Sequence, residues 1–289
     1  MSKMDPAGRR RTITSVIVYL LVTFCLSSIF YVLIIRHPMT EPGSARYVFA
    51  LMWCPGISGL LTRLIFQGNL RGHEFRWGKT KYQFASYWIP LAYGSAVYLP
   101  IWFAGYFDPH APPLAVITKR FPQLPHAAVL PALFLILATV GVLGSCISAL
   151  GEELGWRGFL VPQLAKVTSF PRVSLISGIV WALWHYPIIL FGGYLGGGPL
   201  WYSVICFTVL VIGISFLLAW MRLKSGSLWT GMILHASHNL FIQAFFDSFT
   251  RHSRVKVYWT TEFGAGLALA SIVVALIFYR KRRELSPAA

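Results

Sequence analysis

Eight apolar stretches, each long enough to cross a lipid bilayer, constrain this chain more than any other feature. About 20 apolar residues span the hydrocarbon core of a membrane. Backbone groups in lipid must be hydrogen-bonded within the protein, which an α-helix achieves by itself. The sequence therefore predicts an all-α, polytopic membrane protein of about eight transmembrane helices. The stretches cover approximately residues 13–35, 45–67, 84–107, 127–150, 173–192, 201–221, 228–246 and 262–279.

The low content of charged residues supports the same fold class. Charged side chains make up 12% of the 289 residues, whereas soluble domains carry about 25%. So few polar groups cannot coat a water-facing surface, but a bilayer removes that requirement. We expect a single membrane domain over residues 1–289 in a multi-pass protein of the cell membrane, with residues 1–12 and 284–289 disordered.

The distribution of Lys and Arg predicts the orientation in the membrane. With the N-terminus in the cytoplasm, 17 of the 25 Lys and Arg residues fall in cytoplasmic segments, 7 fall on the opposite side and Arg63 lies within a span. Such an excess is typical of cytoplasmic loops, and it places both termini in the cytoplasm. No concentrated basic face with interleaved aromatic residues is evident. We therefore expect the lipid bilayer as a partner and no binding of nucleic acid, and the oligomeric state stays open.

Two adjacent carboxylates follow the fourth apolar stretch. Glu152 and Glu153 begin the segment 151–172, which we expect to leave the bilayer or to lie along its edge. An ionised group at membrane depth costs about 2.5–3.5 kcal/mol on insertion scales, so such groups need partners and are candidates for function. Glu153 and Arg157 are spaced i,i+4, which allows an ion pair on one helical face. Glu152 points about 100° away from Glu153, and we expect it to face a cavity.

Two histidines and an asparagine lie inside later apolar stretches. His185 belongs to the run WALWHYP at 181–187, and the i,i+4 spacing of His235 and Asn239 puts them on one helical face. Peptide hydrolysis needs a base for water, donors for the developing oxyanion and an acid for the leaving amine. A desolvated carboxylate can be a base near neutral pH. The pattern indicates a hydrolase in which Glu152 and His185 share the water, while His235 and Asn239 could form the oxyanion site.

Two other features favour structural interpretations. His238, inside the same apolar stretch as His235, is interpreted as a packing or supporting residue. The run GGYLGGG at 192–198 lacks the flanking strand and helix that a phosphate-binding loop needs. We interpret it as a flexible connector on the outer side of the membrane.

Three motifs follow one another in the second half of the chain. The run EELGWRG at 152–158 has two glutamates, three residues and then an arginine; Trp181 precedes His185 by four residues; and HASHN at 235–239 has a histidine, three residues and then an asparagine. These motifs resemble those of the CPBP (Abi) family, which includes the type II CAAX prenyl endopeptidases. The family's second motif usually has Phe where this chain has tryptophan, a conservative departure. The resemblance covers roughly residues 127–245.

The resemblance implies an eight-helix intramembrane endopeptidase with a catalytic core at 127–245 and a cavity open to the cytoplasm. Its substrates would be proteins or peptides that are membrane-associated or prenylated. Glu152 and His185 would activate water, His235 and Asn239 would hold the oxyanion, and Arg157 would fix the glutamate pair.

Alternatives to this chemistry stay open. The resemblance implies a glutamate-type mechanism without a cofactor, and the absence of an HExxH helix agrees with it, but Glu152, His185 and His235 could still bind zinc. A member of the same fold could instead be a non-catalytic scaffold or a bacteriocin-immunity-type protein. A proton-coupled transporter could use Glu152, Glu153 and His185 as a relay. Transporters usually place broken helices in both halves, whereas these polar groups concentrate in the second half.

Overall fold

The computed structural model describes residues 5–37, 41–70 and 75–285, and these residues form helices without a β-strand. An isolated antiparallel bridge joins Phe107 to Thr250. The helices are α1 (Pro6–Arg36), α2 (Ala45–Gln67), α3 (Thr80–Ile101), α4 (Pro112–Arg120), α5 (His126–Ile136), α6 (Val142–Gly155), α7 (Val161–Val167), α8 (Phe170–Phe191), α9 (Leu200–Ser225), α10 (Trp229–His238), α11 (Arg254–Trp259) and α12 (Ala265–Arg280).

Wider π-helical turns interrupt or prolong several of these helices. They follow α3 (Trp102–Tyr106), join α5 to α6 (Leu137–Gly141), join α6 to α7 (Trp156–Leu160) and follow α10 (Asn239–Asp247). A short 3-10 turn (Lys281–Glu284) follows α12. Because π-helical turns are rare and occur often at functional sites, the turns beside Glu153 and His238 indicate a candidate site in this region.

Five helical segments among the described residues are long and apolar enough to cross a membrane. They are Pro6–Arg36, Ala45–Gln67, Ala127–Val167, Phe170–Phe191 and Leu200–Ser225. The other three predicted spans are occupied by α3, by α10 with its π-helical turn, and by α12, which has 16 residues. The structure therefore confirms an all-helical protein with several membrane-spanning candidates. The number of eight spans and the cytoplasmic location of both termini stay predictions.

Residues near both chain ends that were predicted to be disordered are helical where the structure describes them. Helix α1 begins at Pro6, and the side chain of Asp5 caps it by accepting a hydrogen bond from the Gly8 N–H at 3.1 Å. Residues 6–12 are therefore helical, because the cap and the N-terminal proline favour a helix start here. Glu284 closes the turn after α12, while residues 1–4 and 286–289 lie outside the described residues.

The segment 151–172, expected to leave the bilayer or to lie along its edge, is helical over most of its length and buried around the two glutamates, and its position relative to the bilayer stays a prediction. The helix continues through the π-helical turn Trp156–Leu160 to Val167, and Glu152, Glu153 and Arg157 are all buried. The physical reason is that these polar side chains find partners inside the protein and not in water. A polar stretch inside a long apolar helix therefore marks a buried site here and not a loop.

Glycines let α2 approach α6 so closely that the two backbones touch. A Cβ atom added at Gly56 would lie 2.4 Å from the carbonyl oxygen of Gly151, and one added at Gly155 would lie 2.3 Å from that of Pro55. Small residues at such positions are the usual means by which helices pack closely in membranes. This contact fixes the depth and rotation of the part of α6 that carries the two glutamates.

Helices α8 and α9 form the opposite wall of the site. α9 is mostly buried and packs against α8, α10 and α12. α8 is also tied to α1, because Tyr31 donates a hydrogen bond to the carbonyl of Trp184 at 2.5 Å and the Trp184 indole N–H donates to Ser27 Oγ at 2.7 Å. These contacts set the rotation of α8 and the direction in which His185 points.

The glycine contact predicts a difference between two alanine substitutions on α6. Gly155→Ala should lower the free energy of unfolding by about 1–3 kcal/mol, because the new methyl group meets the backbone of α2. The matched control is Gly144→Ala, where no atom of a neighbouring element lies within 4 Å of the added Cβ. Thermal unfolding in detergent measures both, and equal melting temperatures for the two variants would contradict this packing.

Candidate functional site

A cavity of about 170 Å³ lies between α2, α6, α8, α9 and α10. Its volume has room for several water molecules. Four of the residues predicted to react line its wall: Glu152 from α6, His185 from α8, His235 from α10 and Asn239 from the π-helical turn that follows. The remainder of the wall is largely apolar, which strengthens the electrostatic interactions between these groups.

Glu152 is held at the cavity wall by two indole groups. Its Oε2 atom accepts hydrogen bonds from Trp181 Nε1 at 2.7 Å and from Trp156 Nε1 at 3.2 Å. The side chain is 2% exposed. Because both neutral donors reach the same oxygen, Oε1 is the atom of Glu152 left to interact with the contents of the cavity.

Glu153 lies directly behind this wall and pairs with two partners. Its Oε1 atom accepts from Arg157 Nη1 at 2.8 Å and from His235 Nδ1 at 3.1 Å. The side chains of Glu153 and Arg157 are 0% and 1% exposed. Water therefore does not stabilise their charges, and they are stabilised by each other and by His235. The i,i+4 ion pair expected from the spacing is present, and it connects α6 to α10 through the histidine.

The helix backbone around Arg157 is supported by two other arginines. Arg222 Nε donates to the carbonyl oxygen of Arg157 at 2.8 Å, and Arg63 Nη2 donates to that of Gly158 at 3.3 Å. A π-helical turn changes which carbonyl groups find helical partners. These side chains stabilise the turn that holds the glutamate pair in place.

The two cavity histidines have different hydrogen-bond partners and therefore different chemistry. His185 Nδ1 lies 2.9 Å from the carbonyl oxygen of Trp181, which can only accept, so Nδ1 carries the proton and Nε2 keeps a free lone pair in the neutral ring. His235 Nδ1 faces the carboxylate of Glu153, so this ring carries its first proton at Nδ1 and donates from Nε2 when it is doubly protonated. His185 is thus suited to accept a proton at Nε2, and His235 is suited to donate a hydrogen bond from its own Nε2.

Trp181 links the groups of the site, and it makes a hydrogen bond that a phenylalanine at this position could not make. Its indole N–H bonds Glu152, and its ring lies 5.9 Å from the ring of His185 and 5.4 Å from that of His235. The guanidinium carbon of Arg157 lies 4.5 Å from the Trp181 ring centroid. A phenylalanine could fill the space but could not donate to the carboxylate.

Sequence reasoning missed a second group of polar residues at the same cavity. His238, interpreted as a packing or supporting residue, and Glu262, which sits at the edge of an apolar stretch, both line the wall together with Tyr194 and Gln243. Glu262 Oε1 lies 3.0 Å from His238 Nε2. The only signal in the sequence was the presence of two more ionisable residues beside apolar stretches.

The zinc alternative can be compared with the arrangement of its proposed ligands. Among residues 5–37, 41–70 and 75–285, no three His, Cys, Asp or Glu side chains are grouped closely enough to hold one metal ion. One oxygen of Glu152 and the Nδ1 atom of each histidine bond to protein groups, and histidines that bind zinc through Nε2 usually make such a bond from Nδ1. The zinc alternative therefore stays a prediction.

Comparison with known proteins agrees with this geometry. Residues 129–241 match the family described as Type II CAAX prenyl endopeptidase Rce1-like. Residues 129–241 are therefore similar to this family. The matched segment includes Glu152, Trp181, His185, His235 and Asn239. It also lies within the region 127–245 that the three motifs had indicated.

A curated relative matches a similar length of the chain. CAAX prenyl protease 2 of Methanococcus maripaludis is 34% identical over 116 residues, which are 38% of this chain and 39% of that protein. The chain thus aligns with less than half the length of this curated relative.

The buried ion pair predicts a large effect of removing one charge. Arg157→Met should lower the free energy of unfolding by about 3–5 kcal/mol, because Glu153 then keeps a buried charge without its arginine. The double variant Arg157→Met with Glu153→Gln should recover part of the loss. Chemical unfolding in detergent measures the difference.

The matched control for this prediction is Arg120→Met, since Arg120 is an exposed arginine at the end of α4. It should unfold like the wild type. A double variant that is less stable than Arg157→Met alone would contradict the assignment of the pair.

Proposed function

We propose that this protein is an intramembrane endopeptidase that hydrolyses peptide bonds of membrane-associated proteins, of the prenylated kind in particular. The observation that carries the proposal is the placement of Glu152 Oε1, His185 and His235 on one small cavity. Its matching relative is named as a CAAX prenyl protease, which supports a carboxyl-terminal prenylated substrate. The apolar surroundings of the cavity suit a substrate that arrives from the lipid.

In the proposed reaction, Glu152 and His185 bind one water molecule between them. His185 Nε2 has the free lone pair and Glu152 Oε1 the free carboxylate oxygen, so either atom can take the proton as the water attacks the peptide carbonyl. The same group then returns that proton to the leaving amine. Proton uptake and release balance, and neither step needs a cofactor.

The developing oxyanion needs donors that are in place before the reaction. His235, protonated beside Glu153, offers its Nε2–H, and Asn239 offers its amide group from the next turn of the same helix. Such preorganised donors act strongly where water is excluded. Arg157 supports this role indirectly, because it shares the Glu153 oxygen that holds His235.

The proposal predicts that replacing either Glu152 or His235 strongly lowers the rate of cleavage without unfolding the protein. Glu152→Gln should lower kcat at least about 100-fold, as expected for loss of a general base, and His235→Gln by about 100-fold, as expected for loss of one oxyanion donor. The assay uses the full chain in liposomes with an internally quenched peptide that ends in a farnesylated CAAX sequence. The same peptide without the farnesyl group tests whether the prenyl chain is recognised.

The controls separate the proposal from its alternatives. His110→Gln changes an exposed histidine and should leave cleavage unchanged. A chelator should also leave it unchanged, and loss of activity that zinc restores would overturn the cofactor-free mechanism. Cleavage of the peptide by Glu152→Gln at the wild-type rate, or no cleavage by the wild type, would instead favour the scaffold or transporter alternative.

A further inference from the structure

Five polar residues beside the proposed reacting groups have no role in the hydrolysis described above. We call them the Glu262 cluster: Tyr93, Tyr194, His238, Gln243 and Glu262. Glu262 is at its centre, since its Oε1 pairs with His238 Nε2 at 3.0 Å and its Oε2 accepts from Gln243 Nε2 at 2.8 Å and from the Tyr194 hydroxyl. The Tyr93 hydroxyl bonds the other nitrogen of His238.

The hydrogen bonds of Glu262 indicate an anchor and not a second reacting carboxylate. Both of its oxygens already accept hydrogen bonds from protein donors, and its residue surface is 9% exposed. A carboxylate that is bonded in this way is held firmly and has little capacity left for a substrate group. Its role is therefore to hold the side chains that bond to it in position.

The backbone that carries Glu262 is strained. Thr261, the preceding residue, has a φ angle of 61°, which is a genuine outlier for a β-branched residue. Its N–H donates to the Tyr98 hydroxyl at 2.9 Å, and this hydroxyl donates to Asp247 Oδ1 at 2.5 Å. Strained residues persist only when their surroundings impose them, and they cluster at functional sites. The strain here places the Glu262 carboxylate against the cavity.

Tyr194 reaches the cluster from the glycine-rich connector between α8 and α9. A Cβ added at Gly196 would lie 2.8 Å from Thr261 Oγ1 and 3.0 Å from Phe263 Cβ, so the connector packs directly on the loop that carries Glu262. The Tyr194 ring also packs on Phe263 at 5.1 Å between centroids. The expected flexible connector is therefore the segment that delivers Tyr194 to the cavity.

The ring of Tyr194 in turn covers His185. Their centroids are 6.3 Å apart with an interplanar angle of 29°, a stacked arrangement. The ring centroids of Trp184 and Phe207 lie 4.8 and 5.0 Å from that of His185. The Nδ1 bond to the Trp181 carbonyl holds one edge of the imidazole, and the three aromatic rings set its plane. The direction of Nε2 therefore depends on the position of Tyr194.

We propose that Glu262 is a positioning residue for the hydrolytic site: it holds the Tyr194 hydroxyl, and Tyr194 holds the imidazole of His185 with Nε2 toward the water. This inference rests on the proposed function. His238 and Gln243 keep the Glu262 carboxylate in place, which gives the missed residues of the cavity a common role.

The kinetic test compares Tyr194→Phe, Glu262→Gln and the double variant with the farnesylated quenched peptide. Each single variant should lower kcat about tenfold, as expected for loss of one hydrogen bond to a charged group, and should leave KM unchanged. Because both changes remove the same contact, the double variant should lose no more than either single variant. Tyr194→Leu, which also removes the ring, should lose more.

The matched control is Tyr202→Phe, because Tyr202 bonds the carbonyl of Tyr258 away from the cavity. It should keep the wild-type kcat. Additive losses in the double variant, or a change confined to KM, would overturn the positioning role of Glu262.

A second readout requires no turnover. Diethyl pyrocarbonate modifies neutral, accessible imidazoles, and peptide mass spectrometry follows each histidine separately. In Tyr194→Phe and in Glu262→Gln, His185 should react several-fold faster than in the wild type, while the exposed His37 and His110 should react at unchanged rates.

This readout separates two kinds of failure. If the wild type does not cleave the peptide, the proposed function fails, but the reactivity of His185 still decides whether Glu262 and Tyr194 hold it. An unchanged rate at His185 in both variants would overturn the inference even where cleavage is observed.

Discussion

The burial of Glu152, Glu153 and Arg157 in an otherwise apolar helix is the constraint on which the rest of the structure depends. Lipid offers no partner for these groups, so each must find one in another part of the protein. Arg157 and His235 bond Oε1 of Glu153, and Trp156 and Trp181 bond Oε2 of Glu152. These contacts bring α6, α8 and α10 together, and the cavity is the space left between them.

Close packing and the π-helical turns give this arrangement its geometry. The glycine contact between α2 and α6 fixes the position of the glutamates, and the turn after Gly155 directs Arg157 back toward Glu153. The Nδ1 atoms of His185 and His235 face different oxygens, a backbone carbonyl and a carboxylate. The roles proposed for the two imidazoles follow from this difference.

Local spacing in the sequence predicted the parts of the site that depend on one helix. The helices, the Glu153–Arg157 pair and the similarity of residues 129–241 to the Rce1-like family were all accessible from local patterns. Contacts between distant segments were not. The indole bond from Trp181 to Glu152 spans 29 residues and the bond from Tyr194 to Glu262 spans 68, so no periodicity reveals them.

The central claim is that Glu152 and His185 share water in a cavity that also contains His235. A cryo-electron microscopy map of the full chain in lipid nanodiscs, at a resolution that shows ordered water, tests this most directly. The account predicts a water molecule within hydrogen-bond distance of both Glu152 Oε1 and His185 Nε2. A map in which the Glu152 carboxylate faces lipid, or lies more than about 10 Å from both imidazoles, well beyond the reach of a shared water, would contradict it.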